Sequence, residues 1–186
     1  RTYPERLWNF PTSFRESNDG GFFTTYRHEG KGWLRKIALS GKTVWEREFD
    51  RQYRVLAQNQ FGEIFLFSDT HAPCHLVKVS SDGQELLFER DTYHINVAVP
   101  NPEGGIVAVG KVGGHGQLRA DSENVSRVLI RGFERDGMGT WGHVVQDDRW
   151  KPEKHAQDFI GESGNMLHIL RTADDEYLLA GIVRTK

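Results

Sequence analysis

Gln60-Phe61-Gly62-Glu63-Ile64-Phe65-Leu66-Phe67 and Asn101-Pro102-Glu103-Gly104-Gly105-Ile106-Val107-Ala108-Val109 each set a polar, turn-forming stretch directly before an unbroken apolar run. Gly, Asn and Asp supply the backbone angles of a tight hairpin. The runs that follow are aromatic, β-branched or leucine-rich, as strands prefer. Neither run alternates, whereas a strand with one face in water should. A continuous apolar run suits a strand covered on both faces. The same pattern opens at Asn18-Asp19-Gly20-Gly21-Phe22-Phe23 and at Ala173-Asp174-Asp175-Glu176-Tyr177-Leu178-Leu179-Ala180.

A second pattern follows: an alternating strand, a turn with Gly, then a bulky apolar residue. It runs through Trp33-Leu34-Arg35-Lys36-Ile37 to Gly41 and Trp45, through His75-Leu76-Val77-Lys78-Val79 to Gly83 and Leu87, and through Arg127-Val128-Leu129-Ile130-Arg131 to Gly137 and Trp141. Arg6-Leu7-Trp8-Asn9-Phe10 is a degenerate end of the same unit. Aligned at Gly21, Gly62, Gly105 and Glu176, the first pattern recurs at gaps of 41, 43 and 71 residues. Aligned at Trp8, Trp45, Leu87 and Trp141, the second recurs at gaps of 37, 42 and 54. Insertions around 113–124 and a polar connection over 146–165 account for the wide gaps. A period near ~40–45 residues with about four strands is the size of a propeller blade.

The spacing therefore predicts one all-β, β-propeller-like domain over 1–186. Its units are about 12–50, 51–91, 92–148, and 158–186 plus 5–10. That makes about four blades of four-stranded antiparallel meanders, with the last incomplete or completed by the N-terminal strand. A partial larger propeller is the alternative reading of the same units. A β-sandwich with irregular hairpins would share the strand count and turn spacing. No segment shows sustained helical periodicity.

Ile37-Ala38-Leu39-Ser40-Gly41-Lys42-Thr43-Val44-Trp45 resembles the tryptophan-bearing blade motif of the quinoprotein-like, or PQQ-like, propellers. Asp19-Gly20-Gly21-Phe22 and Tyr177-Leu178-Leu179-Ala180-Gly181 resemble the strand opening of related bacterial propeller repeats. The similarity is at repeat level: Leu87 stands in the second tryptophan position, and the third copy lacks the Ala. The resemblance implies a tryptophan docking onto the neighbouring blade. It implies no quinone or other cofactor, because the binding residues have no match.

The 24 basic and 26 acidic residues leave a formal charge of −2, with no long block of one sign. That excludes the electrostatic footprint of a nucleic-acid or anionic-membrane binder. No apolar run approaches the ~18–20 residues of a membrane span, so the chain reads as soluble. Cys74, the one cysteine, forms no disulfide within the chain and is expected to pack in a strand. A chain starting at Arg1 suits a processed, cleaved or trimmed protein, and its compartment, export included, stays open. No HExxH, GxSxG, CxxC, EF-hand or phosphate-loop pattern is present.

In a meander, the second-to-third turns and the connections between units share one rim. It would hold the candidate binding residues His28, Asp69, His71, His94, His115, Arg119, Asp121 and His155, with Trp150 as an exposed anchor. Insertion 113–124 is a candidate binding loop. His75, His143 and His168 read as strand residues that pack or face solvent. These features point to a non-catalytic, protein-binding scaffold, in one version of inhibitor or immunity type, with no resident metal or cofactor. A loop-based hydrolase or lyase using rim His and Asp residues, and a structural segment of a larger propeller, are the competing expectations.

Overall fold

The computed structural model describes residues 13–68, 73–92, 94–112, 127–145, 168–174 and 176–180. Every regular element among them is a β-strand. The first sheet contains β1 (Ser13–Glu16), β2 (Phe22–His28), β3 (Lys31–Ile37) and β4 (Thr43–Phe49). The second contains β5 (Arg54–Gln58), β6 (Ile64–Ser68), β7 (Cys74–Val79) and β8 (Leu86–Thr92). The third contains β9 (His94–Pro100), β10 (Ile106–Val112), β11 (Arg127–Phe133) and β12 (Gly139–Val145). β13 (His168–Arg171) and β14 (Tyr177–Ala180) pair as a fourth, two-stranded sheet. Strands follow chain order within each sheet, and all neighbours are antiparallel.

Glycines punctuate the hairpins where a left-handed backbone is required. Gly20, Gly62 and Gly104 hold φ of 81°, 80° and 89° in the first turn of their sheets. Gly41, Gly83 and Gly137 hold 81°, 74° and 83° in the third turn. A left-handed residue costs an L side chain roughly 1–2 kcal/mol, which glycine avoids. The same pair of backbone bonds closes the first turn each time: Gly20 N to Ser17 O with Ser17 N to Gly21 O, then the equivalents at Asn59 and Asn101. This corrects one alignment. Glu63, not Gly62, occupies the place of Gly21 and Gly105, and the left-handed glycines of the first turns, Gly20, Gly62 and Gly104, fall at a constant 42-residue step.

Between third and fourth strands, each complete sheet carries a register shift, at Lys36/Ile37, Lys78/Val79 and Gly132/Phe133. One extra residue there moves the next side chain to the other face. Trp45 pairs with Lys36, Phe88 with Lys78 and Trp141 with Gly132. The second aromatic is therefore Phe88, which is buried, and not Leu87, which is partly exposed.

Buried clusters lie between consecutive sheets. Phe23 and Leu34 meet Ile64, Leu66, Val77 and Val79. Phe65, Phe67, Leu76 and Phe88 meet Ile95, Ile106, Ala108 and Phe133. Val107 and Val109 meet Ile169, with Tyr177 packed against them. Successive residues of β6 and β10 thus serve opposite faces, which explains their continuous apolar runs. The two runs lie in separate sheets. The first strands sit side by side in the series β1, β5, β9, β13. No contact of comparable extent joins β13 to β1 among the described residues. Segment 5–10, expected to complete the last unit, lies outside the described residues.

Candidate functional site

Each meander divides its loops between two ends. One end carries the first and third turns, and there the sheets are bonded together. Glu63 and Lys78 are both buried, with Lys78 Nζ 3.0 Å from Glu63 Oε2. Arg135, from the third sheet, donates Nη2 to Glu63 Oε1 at 2.7 Å and Nε to Oε2 at 3.1 Å. Asn59 Nδ2 donates to Glu63 Oε2 at 2.8 Å and to Gly104 O at 2.6 Å. Burial pushes the Glu63 carboxyl up, but the donors Arg135, Asn59 and Lys78 outweigh it and hold it down at about 2.

Lys36 repeats the arrangement in the first sheet. Its ammonium reaches Asp19 at 2.8 Å and Ser17 Oγ at 2.5 Å, 4.6 Å from the Phe23 ring centre. The Lys36 bond, with help from Ser17 and Gly21 N, holds Asp19 down at about 2. Lys36 is itself buried. Both lysines are occupied in structure by carboxylates and aromatic faces.

The other end is the rim on which sequence placed its candidates. His28 ends β2 beside the left-handed pair Glu29 and Gly30, with Nε2 3.5 Å from Glu29 Oε1. His94 begins β9, where Nδ1 lies 3.2 Å from Asn96 Oδ1 and the ring packs edge-on to Phe67. The two histidines belong to different sheets, the first and the third. Asp69, His71, His115, Arg119, Asp121, Trp150 and His155 lie outside the described residues, as does insertion 113–124. Among the described residues, no group of three or more His, Cys, Asp or Glu side chains is arranged to hold a metal ion.

The rim group that does assemble is one sequence reading passed over. His75 Nδ1 lies 3.0 Å from Glu89 Oε1 and 3.6 Å from Asp91 Oδ1. Its proximity to Glu89 is an ion-pair distance without hydrogen-bond alignment, since Nδ1 makes no aligned bond. Tyr53 bonds Glu89, and burial, then the Glu89 charge, push its hydroxyl well above the usual phenol range. Register alone explains the meeting, because the β7–β8 hairpin sets His75 opposite Asp91. Counting back from Gly83 would have found it. The group ties the entry to β5 to the edge of the second sheet, and presents Asp50 and Asp91 to solvent.

A third feature lies on the face after the third sheet. Trp45 seats on Gly83, where an added Cβ would stand 2.6 Å from its ring, and Phe88 seats on Gly137 at the same 2.6 Å. Trp141, next in the series, is 42% exposed beside a shallow depression of about 230 Å³ lined by Leu129, Arg131 and Thr140. Leu170 and Leu178, on the outer face of β13 and β14, are also exposed. Cys74 is buried in the cluster between the second and third sheets, as expected. No helix among the described residues is long and apolar enough to cross a membrane. No protein-family model matches the chain, and no curated protein matches it.

Proposed function

We propose that the sheets are blades of a β-propeller of the tryptophan-docking kind, which the quinoprotein-like repeats resemble, and that the chain is a non-catalytic protein-binding scaffold. Side-by-side first strands, one blade on the next, and an aromatic seated on each following glycine turn all support the propeller reading. The single observation that carries protein binding is Trp141. Its counterparts Trp45 and Phe88 are covered by a neighbouring sheet, while Trp141 and, on the fourth sheet, Leu170 and Leu178 are exposed among the described residues. Large exposed apolar surface marks a place where protein docks. The occupant that fits is a β-rich protein surface, either further blades or a separate partner.

The test compares the wild-type chain with a Trp141→Ser, Leu178→Ser double variant by light scattering and by fluorescence of a dye that binds apolar surface. The reading expects self-association or strong dye binding in the wild type, reduced in the variant at unchanged circular dichroism. A monodisperse wild type that binds no more dye than the variant would overturn it.

A further inference from the structure

The fourth strand of each complete sheet is its outer edge, and the three edges differ. A sheet edge presents unpaired N–H and C=O groups, and charged side chains are one means of keeping other strands off it. β4 carries Glu46, Arg47 and Glu48, and β8 carries Glu89, Arg90 and Asp91. β12, Gly139-Thr140-Trp141-Gly142-His143-Val144-Val145, carries no Lys, Arg, Asp or Glu. All three edges share a register shift against the third strand, so charge is the difference. Every residue from Gly139 to Val144 is exposed, Trp141 by 42% and Val144 by 51%. In β4, by contrast, half-buried residues alternate with exposed ones, and β8 buries Phe88. Among the described residues, β12 pairs only with β11.

We propose that β12 pairs antiparallel with β12 of a second copy, about a two-fold axis at Gly142. A two-fold interface must be complementary to its own patch. Read outward from Gly142, this strand is: Trp141 falls opposite His143 of the second copy, and Thr140 opposite its Val144. Ring meets ring and β-branched residue meets β-branched residue, pairings that stabilise neighbouring strands. The Trp141 and His143 rings already lie 5.8 Å apart, so the axis extends them into a row of four. Val144 of each copy comes to the edge of the depression lined by Leu129, Arg131 and Thr140. The pairing leaves no charged side chain facing another across the axis. One strand pair is a small interface, so the dimer dissociates on dilution. The contact uses the edge of the third sheet and stands apart from the propeller reading.

Sedimentation of the full chain over a concentration series is expected to show a monomer–dimer equilibrium. Gly142→Lys sets two ammonium groups opposite each other and should raise the dissociation constant about tenfold or more, at unchanged circular dichroism. Gly142→Cys tests the axis itself. Directly opposed strand residues stand about 4.5–5.5 Å apart at Cα, within reach of a disulfide, so mild oxidation should cross-link two copies. A Cβ on Gly142 meets nothing closer than 3.6 Å, so the chain has room for the substitution. Thr43→Cys, exposed on the charged edge β4, measures random collision. Cys74 is buried, and unsubstituted protein checks that it does not cross-link. A chain that stays monomeric at near-millimolar concentration overturns the pairing, as does Gly142→Cys that cross-links no faster than Thr43→Cys. A dimer lost with Leu178→Ser but kept with Gly142→Lys also overturns it, and leaves the apolar face of the fourth sheet as the contact. If Gly142→Lys fails to fold, the cross-linking rates decide alone.

Discussion

The first and second sheets are built from the same residue pattern and live in different surroundings. Each has a left-handed glycine in its first and third turns, a lysine paired to a carboxylate, and an aromatic on its fourth strand. Yet all five residues of β6 are buried, while β2 is buried only at Phe23, Thr24 and Thr25, leaving Phe22 and Tyr26 half-buried. The cause is position in the stack. The second sheet has a neighbour on each face; among the described residues the first has one on a single face. The stability that a given side chain contributes is therefore set by what lies beyond its own sheet.

The largest contrast should come from aromatic truncation. Phe65→Ala empties a fully buried site and is expected to cost about 4 kcal/mol. Phe14→Ala, on the outer face of the first sheet, should cost about 1 kcal/mol, mostly its stacking on Phe22. Urea unfolding of both variants checks the difference, and similar costs would break the comparison. Next, Glu63→Ala leaves Lys78 buried without its carboxylate and should cost roughly 3 kcal/mol. Asp19→Ala removes an exposed partner of Lys36 and should cost under about 1 kcal/mol by the same measurement.

Glycine substitutions sharpen the point at a single position of the pattern. Gly41→Ala and Gly83→Ala both pay about 1–2 kcal/mol for a left-handed alanine. Gly83→Ala must also displace the Trp45 ring, adding about 1 kcal/mol or more. Melting temperatures should rank wild type, then Gly41→Ala, then Gly83→Ala.

Acid probes the same two carboxylates. Glu63 and Asp19 are held at about 2 in the folded chain, below their ordinary values. The unfolded state binds their protons first, so their stabilisation is present above the ordinary carboxylate range and is lost as pH falls through about 2. Urea midpoints should decline between pH 5 and pH 2, and Glu63→Gln should flatten that decline. A midpoint that rises over this interval would contradict the assigned bonds.

Strand positions were legible because hairpin glycines and apolar runs are local signals. Among the described residues, three four-stranded meanders and a two-stranded pair stand where units 12–50, 51–91, 92–148 and 158–186 were expected. Whole-residue counting failed where the backbone inserts a residue. The third turn of the second sheet closes from Ser80 N to Glu85 O, one residue longer than its counterparts at Ala38–Lys42 and Glu134–Met138, which makes Phe88, rather than Leu87, the aromatic that docks. Charge alone does not reveal the burial of Lys36, because a lysine buried over a phenyl ring beside a carboxylate looks in sequence like one in water. The site was less legible than the fold. His28 and His94 do sit on the expected rim, but what joins side chains there is cross-strand register, as in His75 opposite Asp91. Single residue types carry no such information.

Amide hydrogen exchange tests the stacked-sheet account most directly. If consecutive sheets cover both faces of the inner strands, amides of 64–68 and 106–110 should exchange slowest of all. Those of 177–180, with one apolar face bare, should exchange much faster. Equal protection of β14 and β6, or faster exchange in β6 than in β2, would contradict it.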